Sequence, residues 1–66
     1  MIVNGKEVTL GELPSTGVHT LLAHFELDPQ TVAIERNGAI VPRSDWDALH
    51  LSDSDRIELI RFVGGG

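Results

Sequence analysis

Apolar residues along this chain follow patterns with different periods. Residues 1–10 and 31–41 each carry short apolar stretches on either side of an Asn-Gly pair, Asn4-Gly5 in the first and Asn37-Gly38 in the second. Asn and Gly both tolerate the positive φ that a two-residue hairpin turn requires, so each segment predicts a β-hairpin. Pro42 ends the second hairpin, because it has no N–H to give to a ladder. Between the hairpins, Val18, Leu21, Leu22 and Phe25 fall at i, i+3, i+4 and i+7, a single helical stripe. Ser15 or Thr16 is placed to cap that helix and Asp28-Pro29 to end it. A helix of about 10 residues does not stand alone in water, so it must pack on the sheet. Residues 44–49 read as a short helical turn that tucks Trp46 and Leu49 under the sheet edge. Residues 52–55 read as a turn, and residues 56–63 as the longest strand.

The predicted order is β-β-α-β-β-β. A long last strand is best protected from edge pairing in mid-sheet, beside the first strand and parallel to it. The expected architecture is α+β, with a mixed sheet of roughly four or five strands packed on one helix. That is the β-grasp, or ubiquitin-like, fold. Residues 1–63 form the expected domain, and Gly64, Gly65 and Gly66 a flexible C-terminal tail. The last strand is apolar on both faces. Ile57, Leu59 and Val63 share one parity, interrupted by Arg61 near the rim; Ile60 and Phe62 share the other, with Arg56 and Glu58. A sheet with one helix has one covered and one open face. Assigning Ile57 and Leu59 to the helix leaves Ile60 and Phe62 as a docking patch, unless they pack on Met1 or on residues 42–46.

Composition narrows the chemistry. A chain of 66 residues is one small domain that buries only about 60% of its unfolded surface. It has no Cys, hence no disulfide, no thiolate metal site and no thiol nucleophile. A hydrophobic content of 41% and a mean hydropathy of +0.02 mark a globular chain. No apolar run approaches the roughly 20 residues of a membrane span, and the first residues do not resemble a signal peptide, so a cytoplasmic location is expected. Ten acidic against five basic residues give a net charge of −5, which disfavours nucleic acid and favours a partner with a basic face.

Catalytic groupings are sparse. His19 and His24 point about 140° apart on a helix and cannot share a metal, and His50 is remote in sequence. The serines sit in cap or turn contexts, Asp45/Asp47 and Asp53/Asp55 look like turn and cap residues, and no glycine loop is built for phosphate. No bound cofactor or metal is expected, and the chain is not expected to be an enzyme on its own.

The terminal Gly64-Gly65-Gly66 carries the strongest chemical suggestion. The same ending suits a frayed terminus or an expression scar. Yet three residues without Cβ atoms pass a narrow channel, and at about 3.3–3.6 Å each they reach roughly 10 Å. A terminal carboxyl with a pKa of about 3.3–3.7 is an anion at neutral pH and a poor electrophile. Conversion to an acyl-adenylate makes it reactive, and exchange of one oxygen for sulfur gives a nucleophilic thiocarboxylate.

Across essentially its whole length the chain resembles the ThiS family of sulfur carriers in thiamin thiazole biosynthesis. The resemblance rests on an Asn-Gly first hairpin, one Leu-rich helix and Val32-Ala33-Ile34-Glu35-Arg36-Asn37-Gly38. It continues through Ile40-Val41-Pro42-Arg43-Ser44-Asp45-Trp46, an acidic turn, a last strand and a terminal Gly-Gly. Gly64 is a permitted variation on that ending. The resemblance implies that a ThiF-type, E1-like enzyme adenylates Gly66 with ATP and Mg²⁺. Sulfur drawn from cysteine through a desulfurase then displaces AMP, and thiazole synthase (ThiG) receives it. Gly65 and Gly66 carry over as the functional tail, Gly66 bearing the reactive carbonyl. Partner contacts for Gly64, Ile60, Phe62 and Arg61 are inferred from position. Other readings are the small subunit of molybdopterin synthase, a ubiquitin-like modifier ligated through Gly66, and a plain interaction module with a passive tail. The chain is shorter than the molybdopterin subunit, and its Pro42-Arg43 and Trp46 fit ThiS better. Lys6 is the only lysine available for self-linkage.

Overall fold

Both Asn-Gly pairs turn the chain where the pattern places them. The structure, a computed structural model, describes residues 1–62. Asn4 and Gly5 have φ of 50° and 81°, and Asn37 and Gly38 have φ of 53° and 88°, the paired positive values of a tight hairpin turn. β1 (Ile2–Val3) thus pairs antiparallel with β2 (Lys6–Glu7), and β3 (Val32–Arg36) with β4 (Ala39–Ile40). β5 (Arg56–Arg61) lies between the two hairpins, parallel to β1 and antiparallel to β3. The sheet order is β2-β1-β5-β3-β4, with α1 (Val18–His24) as the helix. This is the expected mixed sheet and single helix of a β-grasp fold, with the last strand in the middle. The strand stops at Arg61, short of the predicted residue 63; Phe62 still donates its N–H to Thr31 C=O at 2.9 Å. Val63, Gly64, Gly65 and Gly66 lie outside the described residues.

The core is one cluster between sheet and helix. Val18, Leu21 and Leu22 of α1 meet Val3, Val32, Ile34, Ile57 and Leu59 of the sheet, with Met1, Leu13, Trp46 and Leu51 closing the ends. Each fully buried Leu or Ile contributes about 1.5–3 kcal/mol, so these few side chains carry much of the stability of a small domain. Trp46 sits in a 3₁₀ segment, Arg43–Ala48, with its indole N–H donating to Val41 C=O at 3.1 Å; Leu49 packs beside it, half-buried. A further 3₁₀ turn, Leu10–Glu12, had no signature in the periodicity.

The helix departs from expectation at both ends. It has 7 residues, and its N-cap is Gly17, with no capping side chain. Ser15 and Thr16 are engaged elsewhere. Thr16 C=O accepts the Leu51 N–H at 2.9 Å, and Thr16 Oγ1 meets His50 Nδ1 at 3.1 Å. Ser15 Oγ bonds Thr20 Oγ1 at 2.6 Å and accepts the Gly17 N–H at 3.2 Å. A bridge between distant segments has therefore engaged Thr16, while Ser15 bonds to its neighbours Gly17 and Thr20. At the other end Glu26 adopts φ 56°. Its N–H bonds Ala23 C=O at 3.0 Å and the Leu27 N–H bonds Leu22 C=O at 2.9 Å, the paired bonds of a Schellman ending. The helix therefore ends before Asp28-Pro29. Asp28 instead caps the 3₁₀ turn Pro29–Thr31, its Oδ1 accepting the Gln30 N–H at 2.9 Å. Phe25 falls on the C-cap and leaves the buried stripe.

A glutamate in the left-handed region is strained by its Cβ. Glu26→Gly is expected to stabilise the fold by about 1 kcal/mol, read as a higher urea midpoint. Leu21→Ala, which empties a core position, is expected to cost about 2–5 kcal/mol in the same measurement.

Candidate functional site

The site to be explained is the end of β5, which leads into the terminal glycines. β1 pairs with β5 only at Ile2↔Arg56 and Val3↔Ile57 before the chain turns away. The Asn4 backbone N–H then donates to Ile57 C=O at 2.9 Å, and its side chain continues the ladder. Asn4 Oδ1 accepts the Leu59 N–H at 2.7 Å, and Nδ2 donates to Leu59 C=O at 3.4 Å. The second hairpin asparagine grips the start of the same strand. Asn37 Oδ1 accepts the Arg56 N–H at 2.9 Å, while the Asn37 N–H donates to Arg56 C=O at 2.8 Å. Sequence reasoning cast both residues as turn formers and missed these side-chain contacts.

Asp55 anchors the strand's first residue. Its N–H bonds Ser52 C=O at 3.0 Å and its Oδ2 accepts the Ser52 N–H at 2.9 Å, which is the turn role expected. It is also 3% exposed, with Asn37 Nδ2 at 3.2 Å from Oδ1 and Arg36 Nε at 3.1 Å from Oδ2. The Arg36 contact is an ion pair without hydrogen-bond geometry at Nε. Burial, the largest influence, raises the Asp55 pKa. The Ser52 N–H, Arg36 and Asn37 outweigh it and hold the carboxyl below the ordinary carboxylate value.

The two faces of β5 divide as expected. Ile57 and Leu59 are buried against the core, whereas Ile60 is 41% exposed and Phe62 59%. The alternative packing of Ile60 and Phe62 does not occur, since Met1 and Trp46 are buried within the core. Ile40 of β4, also 59% exposed, extends this open face and was not singled out from the sequence. Its cross-strand partner is Glu35, which stands opposite Glu58. Neither glutamate forms an ion pair among the described residues. Arg61 is exposed but has the parity of Ile57 and Leu59, so it does not join Ile60 and Phe62. Gly64, Gly65 and Gly66 lie outside the described residues.

The histidines stand apart. His19 Nε2 lies 3.3 Å from Asp47 Oδ1, His24 packs edge-on to Phe25, and His50 meets Thr16. Among the described residues no three acidic or histidine side chains are grouped to hold a metal ion, and no helix is long and apolar enough to cross a membrane.

The sequence model of the ThiS family matches residues 1–66. The sulfur carrier protein ThiS of Bacillus subtilis (strain 168) is 38% identical over 64 residues, covering 97% of this chain and 96% of that protein. This chain belongs to the ThiS family. The crystal structure of the thiamine biosynthesis protein ThiS from Geobacter metallireducens superposes with a TM-score of 0.78 at 35% identity, covering 98% of this chain and 96% of the other. A thiazole synthase of Paramagnetospirillum magneticum is 36% identical over 66 residues, all of this ThiS-family chain but only 20% of that larger protein.

The Asp55 cluster has a pH signature. A carboxyl whose folded-state pKa is depressed contributes stability above its unfolded value of about 3.9 and loses it as pH falls through the folded value. Wild type is expected to weaken on acidification below about pH 4. Asp55→Asn is expected to be less stable at neutral pH and to show a flatter acid limb. Urea denaturation across this range checks the assignment, and an unchanged acid limb in the variant contradicts it.

Proposed function

We propose that this ThiS-family chain performs its role, sulfur carriage for thiamin biosynthesis, through the terminal carboxylate of Gly66. That oxygen attacks the α-phosphorus of ATP and displaces pyrophosphate, giving an acyl-adenylate. The outer sulfur of a persulfide, drawn from cysteine through a desulfurase, then attacks the carbonyl carbon and AMP leaves; a partner thiol cleaves the resulting acyl disulfide and is itself oxidised to a disulfide. The product is a thiocarboxylate whose sulfur is a good nucleophile. The folded body holds no pocket among its described residues, so the groups that neutralise ATP and the developing charge, Mg²⁺ and basic side chains, belong to a ThiF-type adenylating partner. Thiazole synthase is the acceptor. This is supported by thiazole synthases of P. magneticum and Magnetococcus marinus, in which a segment similar to this chain occupies 20% and 16% of the protein. Carrier and synthase on one polypeptide meet at high effective concentration. Both encounters take place in the cytoplasm.

One observation carries the reading. The strand nearest the terminal glycines is clamped in mid-sheet, and its exposed residues Ile60 and Phe62 form an apolar face with Ile40 beside the point where the tail departs. That face is the proposed docking surface, with Gly64 at the entry to the partner's channel; Arg61 stands on the opposite face of the strand and is not part of it. The opposed Glu35 and Glu58 on the same face favour a partner with basic residues there.

Removing Gly65 and Gly66 is expected to abolish thiamin synthesis in a strain lacking its own carrier. The urea midpoint should scarcely move, because the described core residues end at Leu59. Gly65→Val is expected to be nearly as damaging, since its branched side chain would not pass a channel shaped for glycine. Full complementation by the shortened chain would refute the reading.

A further inference from the structure

Arg43 and Trp46 belong to the segment that carries the family resemblance, and the Arg43 guanidinium, a group able to bind a carboxylate, is engaged within the fold instead. Their geometry gives them a different task. Arg43 Nη1 donates to Pro29 C=O at 2.7 Å and Nη2 to Val32 C=O at 2.8 Å. One guanidinium thus spans the two carbonyls that bracket Gln30 and Thr31. Its Cζ stands 4.6 Å from the centroid of the Trp46 ring. That ring is fixed in turn, 4% exposed and bonded through its N–H to Val41 C=O.

The bracketed turn is also braced from within. Asp28 Oδ1 accepts the Gln30 N–H, and Asp28 C=O accepts both the N–H of Thr31 at 3.0 Å and its hydroxyl at 2.9 Å. Thr31 C=O is thereby held toward β5, where it accepts the Phe62 N–H at 2.9 Å. That bond is the furthest along the chain among the described residues. A planar fork can hold two carbonyls at once; a lysine ammonium keeps the charge but lacks that geometry.

We infer that Arg43 is a positioning residue for the reaction at Gly66. Through Pro29, Val32 and Thr31 it fixes Phe62, the last described residue before Val63 and the terminal glycines, and so supports the partner's action on Gly66. The inference rests on the carrier reading above. A fixed root matters because small misplacements of reacting atoms are costly in rate, whereas Ile40 and Ile60, two of the three apolar residues of the docking face, are held by their own strands.

The test measures pyrophosphate release from ATP by the cognate ThiF-type enzyme acting on the full chain. Arg43→Ala is expected to lower kcat about tenfold while KM stays within about twofold. Amide hydrogen exchange at Phe62 is expected to accelerate while that at Ile57 does not. Arg43→Lys, which keeps a cation over Trp46 without the fork, is expected to behave the same way and serves if Arg43→Ala fails to fold. Ile34→Val, a core variant that lowers stability without touching the clamp, is expected to keep wild-type kcat. A folded Arg43 variant with wild-type kcat overturns the inference, as does an equal kcat loss in Ile34→Val. Wild type that releases no pyrophosphate with the enzyme overturns the carrier reading itself.

Discussion

β5 is hydrogen-bonded on both sides, and at Leu59 the partner on the β1 side is the amide of Asn4 rather than another strand. This matters because β5 is apolar on both faces. Sliding its register by one residue would turn Ile60 and Phe62 toward the helix in place of Ile57 and Leu59, but would carry Glu58 into the core with them. The asparagine contacts add a second penalty. Asn37 holds Arg56 and Asn4 holds Leu59, so two side-chain amides from two turns pin the strand at separate points. The choice of which residues form the core and which form the open face therefore rests on the charge of Glu58 together with two side-chain amides at defined positions.

The same asparagines show how far the sequence could be read. Their backbone role was legible, because Asn-Gly between apolar stretches needs only local φ preferences to signal a hairpin. Their side-chain role was not, since Asn4 and Leu59 are brought together only by the complete sheet. The parity of β5 could be assigned from the helix stripe, and its central place from the hazard of an exposed long edge. The two helix ends were misread for different reasons: at the first, tertiary contacts engaged Thr16, and at the second a local left-handed residue closed the helix early. Thr16 is engaged with His50 and Leu51, and Glu26 takes a left-handed conformation that a glutamate does not advertise. Asp55 was recognisable as a turn residue, but its pairing with Arg36 joins segments distant in sequence. The Val41-Pro42-Arg43 and Trp46 signature was visible as a family mark, while its mechanical link to Phe62 required the fold.

A body this small has little room to build a reaction site, and its organisation suits a protein that presents one reactive group to larger partners. Core, hairpin turns and the Arg43 clamp all bear on a single strand, and the strand leads to the chain's terminal glycines. The open face beside it combines exposed apolar side chains with glutamates that form no ion pair among the described residues, which suits transient docking better than permanent burial. The ThiS relatives place this arrangement in thiamin biosynthesis. Some thiazole synthases contain a segment similar to this chain.

The central claim is that the acyl carbon of Gly66 carries the sulfur. Intact mass spectrometry of the chain after incubation with ATP, Mg²⁺, a ThiF-type enzyme and a sulfur source tests it most directly. The expected result is a gain of about 16 Da, one oxygen replaced by one sulfur, confined to the C-terminal peptide. An unchanged mass under conditions in which the same enzyme activates an established ThiS protein would contradict it.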